Sequence, residues 1–159
     1  MPDVFTKAKR SEVMSRIRGR GNKDTELALA AVFRRHGITG WRRHKELRGR
    51  AVLPRGPQLR AATQRRPTFR VKPDFVFPKL RLAIFVDGCF WHACPLHATQ
   101  PRNNAAFWRN KLAGNKARDR KVNRALRAAG WRVLRIWEHE LARQREARLL
   151  ARLRKALAV

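Results

Sequence analysis

The chain has 159 residues, with 39 Lys and Arg against 11 Asp and Glu, a formal charge of +28. That length suits one domain with a real hydrophobic core, and the charge selects a polyanionic partner, because each phosphate neutralised releases a condensed counterion. Two Cys are too few for a disulfide framework, no apolar run is long enough to span a bilayer, and the polar start MPDVFTKAKRSEVMSRIRGRGNK lacks the apolar centre of a secretory signal.

The expected compartment is therefore the cytoplasm, beside the nucleoid, with no membrane partner. An anionic membrane surface and a ribosomal type of RNA binding are the competing explanations of the charge. Five Trp and a near-normal apolar fraction favour a packed enzyme or a compact DNA binder.

In chain order, residues 6–20 read as a basic helix carrying Val13, Met14 and Ile17, broken by Gly19 and Gly21. Residues 1–22 then form a basic DNA-binding arm. A second helix is predicted over 25–36, with Leu27, Ala30, Ala31 and Phe33 apolar, Asp24 or Thr25 at its start and Gly37 at its end. Residues 41–70 hold ten Arg and Lys and a single acid, Glu46, with Pro54, Pro57 and Pro67. The part from Gly49 to Thr68 lacks periodicity and reads as an exposed basic loop.

Short β signals follow. Asp74-Phe75-Val76-Phe77 comes after Pro73, and Leu82-Ala83-Ile84-Phe85-Val86 is a continuous apolar run, as in a buried central strand. Pro78-Lys79 is the turn between them. A long helix is predicted over 104–128, a strand over 131–137 and an amphipathic helix over 141–157. This order gives one α/β domain, 1–159, with a mixed central sheet flanked by helices.

Phosphodiester hydrolysis commonly uses a carboxylate-bound Mg²⁺, and this chain has few carboxylates to choose from. Asp74 opens one strand and Asp87 closes the next, so an antiparallel hairpin would bring both to one sheet end. The plainer alternative makes them turn residues, Asp74 after Pro73 and Asp87 with Gly88.

Beyond them, Cys89, Cys94 and His97 suit Zn²⁺, whose preferred ligands are thiolate and imidazole. His139 is the best fourth ligand, with His36 and His44 behind it. Two buried thiols with surface histidines are the alternative. His92 either joins the zinc or acts as general base; the nearness of Asp74 and Asp87 favours the base. Phe90-Trp91 and Phe107-Trp108 either pack a core or wedge between bases.

These residues resemble the signature of the very-short-patch repair endonucleases: Val86-Asp87-Gly88-Cys89-Phe90-Trp91-His92 with Cys94-Pro95 and His97, Lys72-Pro73-Asp74-Phe75-Val76-Phe77, Phe107-Trp108, Lys111, Asn115, and Gly130 through Glu138. The N-terminal Thr6 to Ser11, Met14, Ile17 and Glu26 fit as well. The likeness covers residues 3–48 and 71–145.

It implies a restriction-endonuclease-like fold with a structural zinc site, and an enzyme that nicks duplex DNA 5′ of the T in a T·G mismatch left by deamination of 5-methylcytosine. By the same resemblance, Asp74 is the principal Mg²⁺ ligand and Val86 adds its backbone carbonyl; the hairpin spacing, separately, offers Asp87 as a further Mg²⁺ ligand. His92 is the general base, supported by Glu26. Phe90, Trp91 and Trp108 enter the DNA from the major-groove side and Met14 and Ile17 from the minor-groove side, while Lys111 and Asn115 contact bases. Zinc takes Cys89, Cys94, His97 and His139.

The partner implied is mismatched double-stranded DNA, with other mismatch-repair proteins and a polymerase acting around a monomeric enzyme. His139 stands where the family usually has Cys, and 49–68 looks like an insertion. A restriction-like nuclease with another DNA substrate, and a non-catalytic zinc-containing nucleic-acid binder, are the rival functions.

Overall fold

A computed structural model describes residues 23–50, 68–99, 101 and 103–158. The basic helix predicted over 6–20, with Met14 and Ile17, lies outside the described residues, as do 51–67.

The first described helix opens with a π-helical turn, Lys23–Leu27, and continues as α1, Ala28–Arg35. Its buried side chains Leu29, Val32 and Phe33 recur at three and four residues, the spacing of one helical face. It stops where Gly37 takes a φ of +63°, a left-handed backbone that costs glycine little.

The strands are β1 (Arg42–Arg43), β2 (Leu47–Arg50), β3 (Thr68–Val71), β4 (Phe75–Phe77), β5 (Leu82–Asp87) and β6 (Arg132–Trp137). The main sheet runs β1–β4–β5–β6, antiparallel except for the parallel pair β5 and β6. Helix α2, Ala105–Ala128, lies between β5 and β6 in sequence, as a parallel connection requires. Two 3₁₀ turns, Glu138–Leu141 and Arg143–Arg145, lead into α3, Glu146–Leu157. The expected mixed α/β architecture is thus present.

Alternation along the strands divides the core. Phe75, Phe77, Leu82, Ile84 and Ile136 pack against Leu29 and Phe33 of α1 and Leu149 and Leu153 of α3. Val76 and Ala83 face the other way, onto Leu126 of α2 and Leu47 of β2. No helix among the described residues is long and apolar enough to cross a membrane.

Four elements depart from the expectations. The final helix starts at Glu146 rather than 141, after the 3₁₀ turns. The two-residue β1 went unseen; it pairs Arg42 with Val76 and Arg43 with Phe75. The ends of the expected loop are strands, β2 and β3, paired Leu47 with Val71, Arg48 with Arg70, Gly49 with Phe69 and Arg50 with Thr68. Each is only four residues long, so the alternation is too brief to register as a period. A Cβ at Gly49 would sit 2.7 Å from a ring carbon of Phe69, so any larger residue would push that ring aside.

Candidate active site and Cys/His cluster

The parity that turns Val76, Ala83 and Val133 toward α2 also carries Asp74, Phe85, Asp87 and Arg135 to that face. Helix α2 answers with Asp119, Val122 and Leu126, three and four residues apart. Between them opens a cleft of about 920 Å³, lined also by Glu26, Arg70, Lys72, Trp91 and His92.

Asp74 stands directly before β4, and its Oδ2 accepts a 2.7 Å hydrogen bond from the backbone N–H of Val86. Burial raises its carboxyl to about 6, against that hydrogen bond, with Glu26 and Asp87 adding to the rise. Ionised Asp74 thus lacks a full counter-charge. Glu26, His44 and Asp74 each bring a ligand atom within 4.8 Å of the others, a group that could hold a cation. Glu26 Oε2 is 2.9 Å from both Arg43 Nη2 and His44 Nε2. His44 is held by its own backbone, whose N–H donates to the Asp74 carbonyl at 3.2 Å.

Asp87 has a different setting. Arg135 Nη1 donates to both its oxygens at 2.7 Å, while burial raises its pKa and Arg135 opposes the rise. Arg135 Nη2 also donates to Asp119 Oδ1 at 3.1 Å. Asp119 Oδ2 lies 2.6 Å from His92 Nδ1, and Asp87 Oδ1 lies 3.7 Å from the same nitrogen. The carboxylates on His92 are therefore those of Asp119 and Asp87, whereas Glu26 sits with Arg43, His44 and Asp74.

A second cluster lies past the sheet end. Cys89, Cys94, His97 and His139 bring their ligand atoms within 4.8 Å of one another. Cys89 Sγ is 3.2 Å and Cys94 Sγ 3.6 Å from His139 Nδ1, and Cys94 Sγ is 3.9 Å from His97 Nδ1. Tetrahedral zinc with sulfur at about 2.3 Å and nitrogen at about 2.0 Å sets its ligands roughly 3.3–3.8 Å apart, so distances and donor types both fit. Burial lowers the pKa of His139, in the direction of the neutral imidazole a metal takes, while burial raises the Cys89 thiol, against the thiolate that zinc takes. The cluster exists because β5 and β6 are parallel and end level, Asp87 beside Trp137; Cys89 and His139 each follow by two residues. Glu138 ties the same corner, accepting from the Cys89 N–H at 3.1 Å.

Phe90, Trp91 and Trp108 meet edge-on or tilted, with centroids 5.2–6.0 Å apart. Phe107 leans on Trp108 and is 60% exposed. Asn115, expected at a base, donates its amide to the Trp91 carbonyl at 2.8 Å. Lys111 is exposed on α2.

The sequence did not single out Asp119, Arg135 or the cation-site placement of His44. Asp119 had a signal: it is the single acid of α2 among eight Arg and Lys. Arg135 had none, being one of many arginines whose partners lie on other elements.

Comparison with known proteins identifies relatives of the chain. The family model of the DNA mismatch endonuclease Vsr matches residues 52–97. The type II nicking enzyme V.NaeI of Lentzea aerocolonigenes is 58% identical over 71 residues, 45% of this chain and 43% of its own, so the chain matches less than half the length of that relative. The type II nicking enzyme V.NmeAIP of Neisseria meningitidis is 30% identical over 164 residues, 99% of this chain and 100% of its own. The DNA mismatch endonuclease Vsr of Escherichia coli K12 is 34% identical over 142 residues, 87% of this chain and 74% of its own.

Proposed function

The chain belongs to the Vsr family of DNA mismatch endonucleases, and from that premise we propose that it nicks duplex DNA by Mg²⁺-dependent hydrolysis, 5′ of the T in a T·G mismatch, on a restriction-endonuclease-like fold. The observation that carries the reading is one cleft holding both Asp74 and the His92–Asp119 pair.

Asp74 and Glu26 offer the oxygen donors that Mg²⁺ prefers, and burial and neighbouring acids raise the Asp74 carboxyl, a rise that a bound cation would offset. The Val86 N–H donates to Asp74, so the main chain whose carbonyl would join the ion lies beside that carboxylate. Mg²⁺, when bound, supplies charge neutralisation to the phosphate under attack.

His92 turns Nδ1 to Asp119, which fixes the proton on that nitrogen and leaves Nε2 as the acceptor. Nε2 then takes the proton of the attacking water. Arg135 holds the carboxylate of Asp119 and so the imidazole behind it. Phe90, Trp91 and Trp108 wedge into the stack beside the target. A mismatched pair costs less to distort than a matched one, which gives selectivity. Cys89, Cys94, His97 and His139 would hold a structural Zn²⁺.

The test is nicking of end-labelled duplexes carrying T·G, matched or branched sites, with Mg²⁺ and with chelator. Mg²⁺-dependent nicking confined to T·G supports the reading. Preference for branched DNA replaces the substrate, and binding without cleavage removes the catalysis.

A further inference from the structure

The ribbon of β2 and β3 presents an arrangement the site above does not use. Its inner residues Leu47, Phe69 and Val71 pack on the sheet, and its outer face carries Arg48 and Arg70. These two are directly cross-strand partners, with side chains 70% and 68% exposed. Like charges placed so are destabilising unless an anion lies between them. Glu46 supplies it, meeting the Nε of both guanidinium groups. Lys72 Nζ stands 3.9 Å from the other Glu46 oxygen.

Three cations therefore converge on one carboxylate oxygen pair. Because Glu46 meets each arginine at Nε, the terminal nitrogens of both forks are left for a second anion. Arg70 and Lys72 also line the cleft that holds Asp74, so the cradle is continuous with the reacting end.

We propose that Arg48, Arg70 and Lys72 form a phosphate cradle that grips the DNA backbone beside the cleft, with Glu46 spacing the two forks and competing for them. Charge complementarity selects the sugar-phosphate backbone: two forks side by side match phosphate oxygens, and among the described residues the ribbon's outer face offers no apolar anchor to a protein. The cradle acts equally on matched and mismatched duplexes, because phosphates carry no sequence. It rests on the reading that this chain acts on DNA, but not on the cleavage itself.

The test is DNA affinity by fluorescence anisotropy, in chelator, across a salt series. The R48A/R70A double variant is compared with R154A/K155A, which removes the same charge from α3 on the opposite face of the sheet. Losing one phosphate contact lowers the slope of log K against log salt by about 1 and affinity roughly ten-fold, for matched and T·G duplexes alike. R48K/R70K, which keeps charge but not the forks, loses an intermediate amount.

Binding by R48A/R70A that matches R154A/K155A overturns the cradle. Should R48A/R70A fail to fold, E46Q decides: its affinity rises and its salt slope steepens if Glu46 competes, and an unchanged curve overturns the proposal. Wild-type chain that nicks T·G while R48A/R70A behaves like the control sinks the cradle alone; a cradle that responds as expected in a chain that never nicks sinks the catalysis alone.

Discussion

His92 Nδ1 lies 2.6 Å from Asp119 Oδ2, joining the loop after β5 to the middle of α2. The pairing orients the ring and leaves one nitrogen for chemistry. His92→Ala should lower kcat by about 10²–10⁴-fold, the usual reach of a general base. Asp119→Asn should lower kcat by less and leave DNA affinity in chelator unchanged. Single-turnover nicking with parallel binding curves checks both, and a His92→Ala enzyme at wild-type rate removes the imidazole from the mechanism.

Asp74 offers a readout that needs no substrate. Its carboxyl is raised from 3.8 to about 6, first by burial. In the folded chain it keeps its proton over a window where the unfolded chain has lost it. The stability it contributes is full below pH 3.8 and is lost as pH rises through about 6. Near neutrality the ionised group costs about 3 kcal/mol. Asp74→Asn should therefore raise Tm in chelator by about 5 °C or more while nicking falls on the order of 10³-fold. Mg²⁺ should raise the Tm of the wild type and not of the variant. An unchanged chelator Tm would show that the carboxylate is not under strain.

For the Cys/His cluster, metal content by mass spectrometry and thermal unfolding suffice. One equivalent of zinc is expected. Cys94→Ala should lose it and destabilise by about 3 kcal/mol or more. His139→Cys should keep it, since either donor suits the position. Metal-free protein with an unaltered Tm would leave the four side chains as mere neighbours.

Trp91 and Asn115 form a further pair to separate. Trp91→Ala should reduce the preference for T·G over matched duplex by about ten-fold, the scale of one stacked ring. Asn115→Ala, by freeing the Trp91 carbonyl, should weaken the same preference in part. Equal losses on both duplexes would assign Trp91 to packing instead.

Much of this was legible in the chain. The apolar run 82–86 and the Pro73-Asp74 junction located β4 and β5, and the nearness of Cys89 to His97 located the cluster. Asp87 was legible as a neighbour of Asp74 but not as the partner of Arg135, because that pairing depends on which strand lies beside β5. Asp119 stood out as the single acid of α2, but the face it occupies did not, because a helix residue announces its face through apolar neighbours and α2 has a single fully buried one, Leu126. The ribbon escaped because strands of four residues, three of the eight residues being arginine, look the same as a solvated loop.

The level ends of β5 and β6 carry one more implication. A metal spanning Cys89 and His139 would turn everything between them into a closed ring, and that ring contains Trp108, Asn115 and Asp119. The ion would then act as a leash on α2. Its removal would slacken the grip on His92 and the tryptophans together.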